Sequence, residues 1–172
     1  SRGISFEWHD FENRSELDWG ESFHPDSVEI CLNLSGTGAI GLRSEEVLYA
    51  GECSGFYRQG ARQLRGRRDR GRHQFVTVEY SVEYLREHFK DHRTGLHPSI
   101  AQVVGGKSSE SCIVNPGRLR TEHAQLIRSL QNPPVHTNAQ PVWFECKALE
   151  LATFFFFLPE TADDLFCDRQ KR

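Results

Sequence analysis

Apolar and polar side chains alternate through much of the first eighty residues, and the period lengthens to that of a helix after residue 81. Ile4, Phe6 and Trp8, with Phe11 beyond them, mark a first strand. Val28, Ile30, Leu32 and Leu34 alternate cleanly and stop at the turn cluster Ser35-Gly36-Thr37-Gly38. Ala39 to Leu42 and Val47 to Tyr49 flank a polar turn, Arg43-Ser44-Glu45-Glu46, and predict two more short strands. Phe56 and Tyr57 lie in the next. His73 to Tyr80 is the strongest, since Phe75, Val76, Thr77, Val78 and Tyr80 are all β-branched or aromatic. Six short strands with no helix between them predict an antiparallel sandwich or barrel.

Beyond Ser81, a good N-cap, Val82, Leu85 and Phe89 recur at helical spacing and predict a short helix over 82–90. Lys107 to Ser111 is a polar loop. Asn115-Pro116 reads as a cap followed by proline at the first helical position. Leu119, His123, Leu126, Ile127 and Leu130 then mark one helical face, which Asn132-Pro133-Pro134 ends. A second long helix is expected from Pro141 to Leu158, stopped by Pro159. The short linker makes the two an antiparallel hairpin. The expected division is a barrel domain over 1–114 and a helical hairpin over 115–172.

The last helix carries two apolar arcs at 100° per residue. Phe144, Ala148, Leu151, Ala152, Phe155 and Leu158 form one, expected to pack on the chain's own barrel or first hairpin helix. Val142, Cys146, Leu149, Thr153 and Phe156 form the other, with the four-three spacing of a heptad seam. This second arc is assigned to a partner subunit, through the same helix around a two-fold axis. The alternative is that the first helix of the hairpin covers it within one chain.

Composition narrows the classes. The 172 residues are 37% apolar and 26% charged, with a formal charge of −3, which fits a globular domain and argues against whole-surface attraction to nucleic acid or anionic membrane. The longest apolar run, Leu151 to Leu158 interrupted only by Thr153, falls far short of the roughly 20 residues a bilayer span needs. Five scattered cysteines with no C-x-x-C pair read as reduced thiols, and the expected location is the cytoplasm. The chain has no methionine and ends in the basic stretch Asp168 to Arg172, which has no cap or turn chemistry. It is therefore expected to be a piece of something longer, with the missing part on the C-terminal side.

No nucleophile elbow, P-loop, dinucleotide fingerprint or zincin motif occurs. Trp8, Tyr57, His73 and Phe75 lie on predicted strands, where they can line a barrel mouth as a small-molecule pocket or serve as core. His73 and Phe75 share a strand face. Arg58 to Arg72 holds seven arginines relieved only by Asp69, a net +6. No aromatic is interspersed, which argues against a single-stranded nucleic-acid platform. Most of the run is expected to be a solvated hairpin, with Arg58 and Arg62 as the candidates for the pocket. His24 and Glu29 fit the second His and the Glu of the H-x-H-x(3,4)-E motif of metal-binding cupins, but Ser22 stands where the first His belongs. Two ligands leave a divalent ion short of its usual three or four. Both residues remain pocket candidates, and no metal or cofactor is expected. A metal-dependent cupin enzyme using His24, Glu29 and His73 is the alternative.

The stretches Val28-Glu-Ile-Cys-Leu-Asn-Leu-Ser-Gly-Thr-Gly, Arg72-His-Gln-Phe-Val-Thr-Val-Glu-Tyr-Ser-Val-Glu-Tyr-Leu and Trp143-Phe-Glu-Cys-Lys-Ala-Leu-Glu-Leu-Ala-Thr, in that order, resemble the N-terminal part of AraC-type transcription regulators. The resemblance implies a cupin-like double-stranded β barrel, or jelly roll, whose mouth binds a small effector. It also implies a helical hairpin that forms a homodimer, and DNA binding through helix-turn-helix units absent from this chain. His73-Gln74-Phe75 matches a His-Gln-Trp stretch that contributes sugar contacts in the arabinose-responsive member. Ser35 stands where that member has an arginine, and Arg58-Gln59-Gly60 replaces its Pro-Pro-Gly turn. Those departures argue against a sugar, and the arginines in place of that turn suggest a larger or more acidic effector.

Overall fold

In this computed structural model, which describes residues 3–106 and 110–159, two antiparallel sheets face each other and helices cover the outer face of the larger one. The strands are β1 (Ile4–Asn13), β2 (Leu17–Asp18), β3 (Ser27–Ser35), β4 (Gly38–Leu42), β5 (Glu45–Tyr49), β6 (Cys53–Gln59), β7 (Arg65–Arg68), β8 (Gly71–Ser81), β9 (Cys112–Ile113) and β10 (Gly117–Arg118). The larger sheet runs β1-β8-β3-β6-β10, with β9 also on β6, and the smaller runs β2-β7-β4-β5. The helices are α1 (Val82–Phe89), α2 (Pro98–Val104), α3 (Thr121–Gln131) and α4 (Gln140–Phe156). The polar loop residues 107–109 and the basic C-terminal stretch lie outside the described residues.

The strand period of two sorts the larger sheet into two chemistries. Val28, Ile30 and Leu32 of β3 and Val76, Val78 and Tyr80 of β8 point to the helices, where they join Leu85, Ile100, Val103, Ile127, Ala148, Leu151, Ala152 and Phe156 in one buried cluster. The intervening Cys31 and Phe75 point between the sheets and meet Phe23, Ile40, Tyr49, Tyr57 and Leu64. β3 and β8 are thus walls with two buried faces. Tyr80 ties the outer face to the last helix, its hydroxyl donating to the Ala148 carbonyl at 2.7 Å, with its ring against Phe156.

Several expectations are met. Ser81 caps α1 by accepting the Tyr84 amide at 3.2 Å. Ala148, Leu151 and Ala152 are buried in the chain's own core, and Phe144 packs on Phe6 of β1.

Other expectations are corrected. Pro116 does not start a helix: Gly117 and Arg118 pair with β6, and α3 begins at Thr121. Pro116 packs directly on Gly55, within about 3 Å of where a side chain there would begin. Helix α2, with Pro98 at its start, was not expected. The last helix ends at Phe156; Phe157 leaves it to bridge Leu96, and Leu158 is half exposed rather than packed inward. Phe156 is fully buried against Phe56 and Tyr80, so it belongs to the core of this chain and not to a seam. Within the expected hairpin, the ring contacts between α3 and α4 are those of His123 with Phe154 and Phe155.

The arginine run also departs from expectation. Its middle, expected to be solvated, contains β7, paired to β2 and β4. Leu64, Gly66 and Arg68 alternate inward and are buried. Arg65 and Arg67 alternate outward. A side chain at Gly66 would meet the Phe23 ring at 2.9 Å, which explains glycine there.

Candidate functional site in the barrel interior

The space between the sheets is lined by aromatic rings interleaved with polar side chains, unlike the aliphatic cluster behind it. His9 stacks on Phe75 with centroids 4.3 Å apart, Phe11 stacks on Trp19 at 5.6 Å and on His73 at 5.1 Å, and Trp19 meets Phe75 edge-on at 5.5 Å. Period-two alternation on β1 and β8 delivers His9, Phe11, His73 and Phe75 to the same side, and the turn after β2 supplies Trp19.

Polar groups enter from β3, β6, β7 and β8. Tyr57 donates its hydroxyl hydrogen bond to Glu29. Burial raises the Glu29 carboxyl to about 8, against the opposing effect of that bond, so Glu29 is mostly protonated at neutral pH. His9 goes the other way. Burial, and then the positive charge of Arg68, lower it to about 4, and its Nε2 lies 3.1 Å from Thr77 Oγ1. The His73 Nε2 lies 2.7 Å from the Asp69 carbonyl, which requires the proton on that nitrogen. Its Nδ1 faces Gly36, where a Cβ would come within 2.3 Å of it; the positive φ of 86° suits glycine as well.

Arg68 is the remaining inward polar group and is 5% exposed. Its guanidinium carbon sits 3.7 Å from the centroid of Phe75 and 5.9 Å from that of Trp19. One terminal nitrogen donates to Asn33 Oδ1 at 3.3 Å, and the other faces Cys31 Sγ at 3.9 Å.

At the rim, Ser5, Glu7, His9, Trp19, Ser22, His24, Glu29, Thr77 and Glu79 line a cavity of about 10 Å³, room for a single water. Anything larger must displace the Trp19 segment or the rim side chains.

The structure gathers Glu29, Tyr57, His73 and Phe75 in the interior, with His24 at the rim. Trp8 and Arg58 are on the opposite face: each stands across from a helix-facing residue, Val76 and Val28 respectively. Arg58 is buried there near Cys112, Asp26 and Arg86. Arg62 is exposed and contributes its carbonyl to Ser111. His24, Glu29 and His73 do not converge, because His24 Nδ1 binds Glu79 at 3.0 Å and His73 is committed to Asp69. Among the described residues no group of three His, Cys, Asp or Glu side chains is arranged to hold a metal.

A family model described as the regulatory protein PchR N-terminal domain matches residues 1–162. No curated protein sequence matches the chain. Among solved structures, an apo variant of ToxT from Vibrio cholerae is similar with a TM-score of 0.52 and 10% identity, covering 95% of this chain and 61% of that one. ToxT bound to an unsaturated fatty acid gives 0.47 and 8%, over 93% and 59%. The EutQ protein of Clostridium difficile gives 0.36 and 16%, over 47% and 59%. The chain spans about three fifths of the length of these structures, and at such identities the apo ToxT likeness is one of fold.

Proposed function

The chain belongs to the family of the PchR regulatory protein N-terminal domain, and from that premise we propose that it is the effector-sensing part of an AraC-type transcription regulator, with the barrel interior as its pocket. The observation that carries this reading is the two-faced larger sheet. One face presents aromatic and polar side chains to an enclosed interior, and the other packs on α4 through Tyr80 and Phe156. An effector that binds one arrangement of β3 and β8 better than another shifts the helices by the same free energy. The role is regulatory, without a reaction of its own, and DNA is reached through units outside this chain. Among the described residues the cysteines are free thiols and no helix is long and apolar enough to cross a membrane, and the setting assigned to the domain is the cytoplasm.

A neutral aromatic probe tests the pocket. Titration with 2-naphthamide is expected to move the indole N–H resonance of Trp19, which lies in the pocket, and to leave those of Trp8 and Trp143 in place. Saturable shifts at Trp8 or Trp143 instead, or no saturable shift, overturn the assignment.

The homodimer rests on α4. Of its expected seam, Val142 is 65% exposed, Cys146 and Thr153 are exposed, and Leu149 is half-buried against the chain's own core. Val142 is therefore the cleaner probe. Val142→Glu is expected to leave folding intact and to weaken dimerisation at least tenfold by sedimentation velocity, because the partner helix would bury a carboxylate. A monomeric parent chain, or an unaffected dimer, rejects this interface.

A further inference from the structure

The interior holds a permanent charge that the fold leaves unneutralised. Arg68 sits on β7 between Arg67 and Asp69, and the strand period turns it inward while Arg67 turns out. Of the outward arginines, Arg67 pairs with Glu16, Glu46 and Asp69, Arg72 pairs with Asp10, and exposed Arg65 donates to the Arg43 carbonyl. Among the described residues no carboxylate pairs with Arg68; its hydrogen-bond acceptors are a neutral amide oxygen and a thiol sulfur, both at long range. Glu29, a carboxyl of the same interior, is engaged by Tyr57 and kept protonated by burial. A guanidinium does not lose its proton to escape this setting.

Burying an unpaired cation is costly even after relaxation. The Phe75 face, lying against the guanidinium, returns only part of that. What would neutralise the rest is a ligand group of opposite charge, and the planar guanidinium fork suits a carboxylate in two-point contact. One cation inside calls for one negative charge. A dianion would leave an excess charge in the same dry space.

Resting on the effector-pocket reading above, we infer that the effector is an organic monocarboxylate with an aromatic or planar body, its carboxylate seated on Arg68 and its body among His9, Phe11, Trp19 and Phe75. Asn33 positions the fork, since its Nδ2 holds the Gly36 and Ala50 carbonyls and its Oδ1 accepts from Arg68.

The test compares 2-naphthoate with its neutral counterpart 2-naphthamide by calorimetry on the folded chain. Naphthoate is expected to bind at least tenfold more tightly. Arg68→Gln is expected to erase that preference while leaving naphthamide affinity within threefold. Equal affinities in the parent chain, or a preference that survives Arg68→Gln, overturn the inference and leave the pocket standing. Because the variant can misfold, the Arg68 Nε–H resonance of the parent chain gives a second reading: naphthoate is expected to shift it and naphthamide is not. An unmoved resonance on naphthoate binding overturns the inference equally. If naphthamide fails to perturb Trp19, the pocket reading itself falls, and the charge inference with it.

Discussion

Arg68→Met is expected to raise the thermal midpoint of the ligand-free chain by several degrees. The expectation follows from comparing magnitudes at one buried site. Holding the guanidinium inside costs several kcal/mol. Against that stand a cation–π contact with Phe75 of about 2 kcal/mol at most and one long charge-assisted hydrogen bond to Asn33 of about 2 kcal/mol. Methionine keeps much of the volume and packs well against aromatic rings, Phe75 and Trp19 here. The variant does leave Asn33 Oδ1 without its donor, a cost of about 1 kcal/mol or more, so the net gain should be about 1–2 kcal/mol. For a chain of this size that is about 2–8 °C. Differential scanning calorimetry reads it directly. A fall in the midpoint would show that Arg68 is a structural member of the interior, held for its packing with Phe75 and Asn33. A rise would mark it as a residue retained at a cost in stability, which is the signature of a binding group.

The alternation that placed β3 and β8 was legible because one face of each is purely aliphatic, so hydrophobic periodicity registers it without ambiguity. Val28, Ile30, Leu32 and Val76, Val78, Tyr80 all land where their spacing puts them. The same reasoning ties Phe75 to His73, and both are fully buried on one face. Trp8 failed for a related reason: it shares the face of Phe6, and sequence spacing alone does not say which side of a strand is the interior. Arg58 failed in the same way, one register step from Tyr57. β7 was illegible because every hydrophobicity-based reading counts arginine as outward. The signal present was Leu64-Arg-Gly66-Arg-Arg68, a period of two in which the small Gly66 and the apolar Leu64 mark the inward side and carry Arg68 with them. Trp19 lay outside any periodic segment, in the turn between β2 and β3, and only tertiary packing against Phe11 and Phe75 reveals it. Glu29 was visible as a candidate ligand, but its partner Tyr57 comes from a strand paired in a register that the sequence does not specify.

Glu29→Gln should remove the loss of folding stability that the parent chain shows as pH rises toward 8.5. The folded Glu29 carboxyl holds its proton up to about 8, whereas the group titrates at 4.5 when free. Between those values the folded chain carries a proton that the unfolded chain has lost, so stability from this group is full below pH 4.5 and falls as pH rises through 8. The loss by pH 8.5 is bounded at about 5 kcal/mol, from the 1.36 kcal/mol that accompanies each unit of displacement. His9 acts with the opposite sign. Its folded value of about 4 lies below the free value of 6.5, so its contribution is present above pH 6.5 and lost as pH falls toward 4. The parent chain should therefore be most stable at mildly acidic pH, squeezed from above by Glu29 and from below by His9. Glutamine has no proton to lose and its amide oxygen can still accept from Tyr57. Urea denaturation of Glu29→Gln should then show stability rising to pH 6.5 and holding level beyond it. At pH 8.5 the variant should exceed the parent by a few kcal/mol, and at pH 4.5 the two should nearly coincide. A parent chain whose stability does not decline between pH 6.5 and 8.5 would mean that Glu29 is ionised in the folded state, and the charge of Arg68 would then have a counter-ion within the barrel.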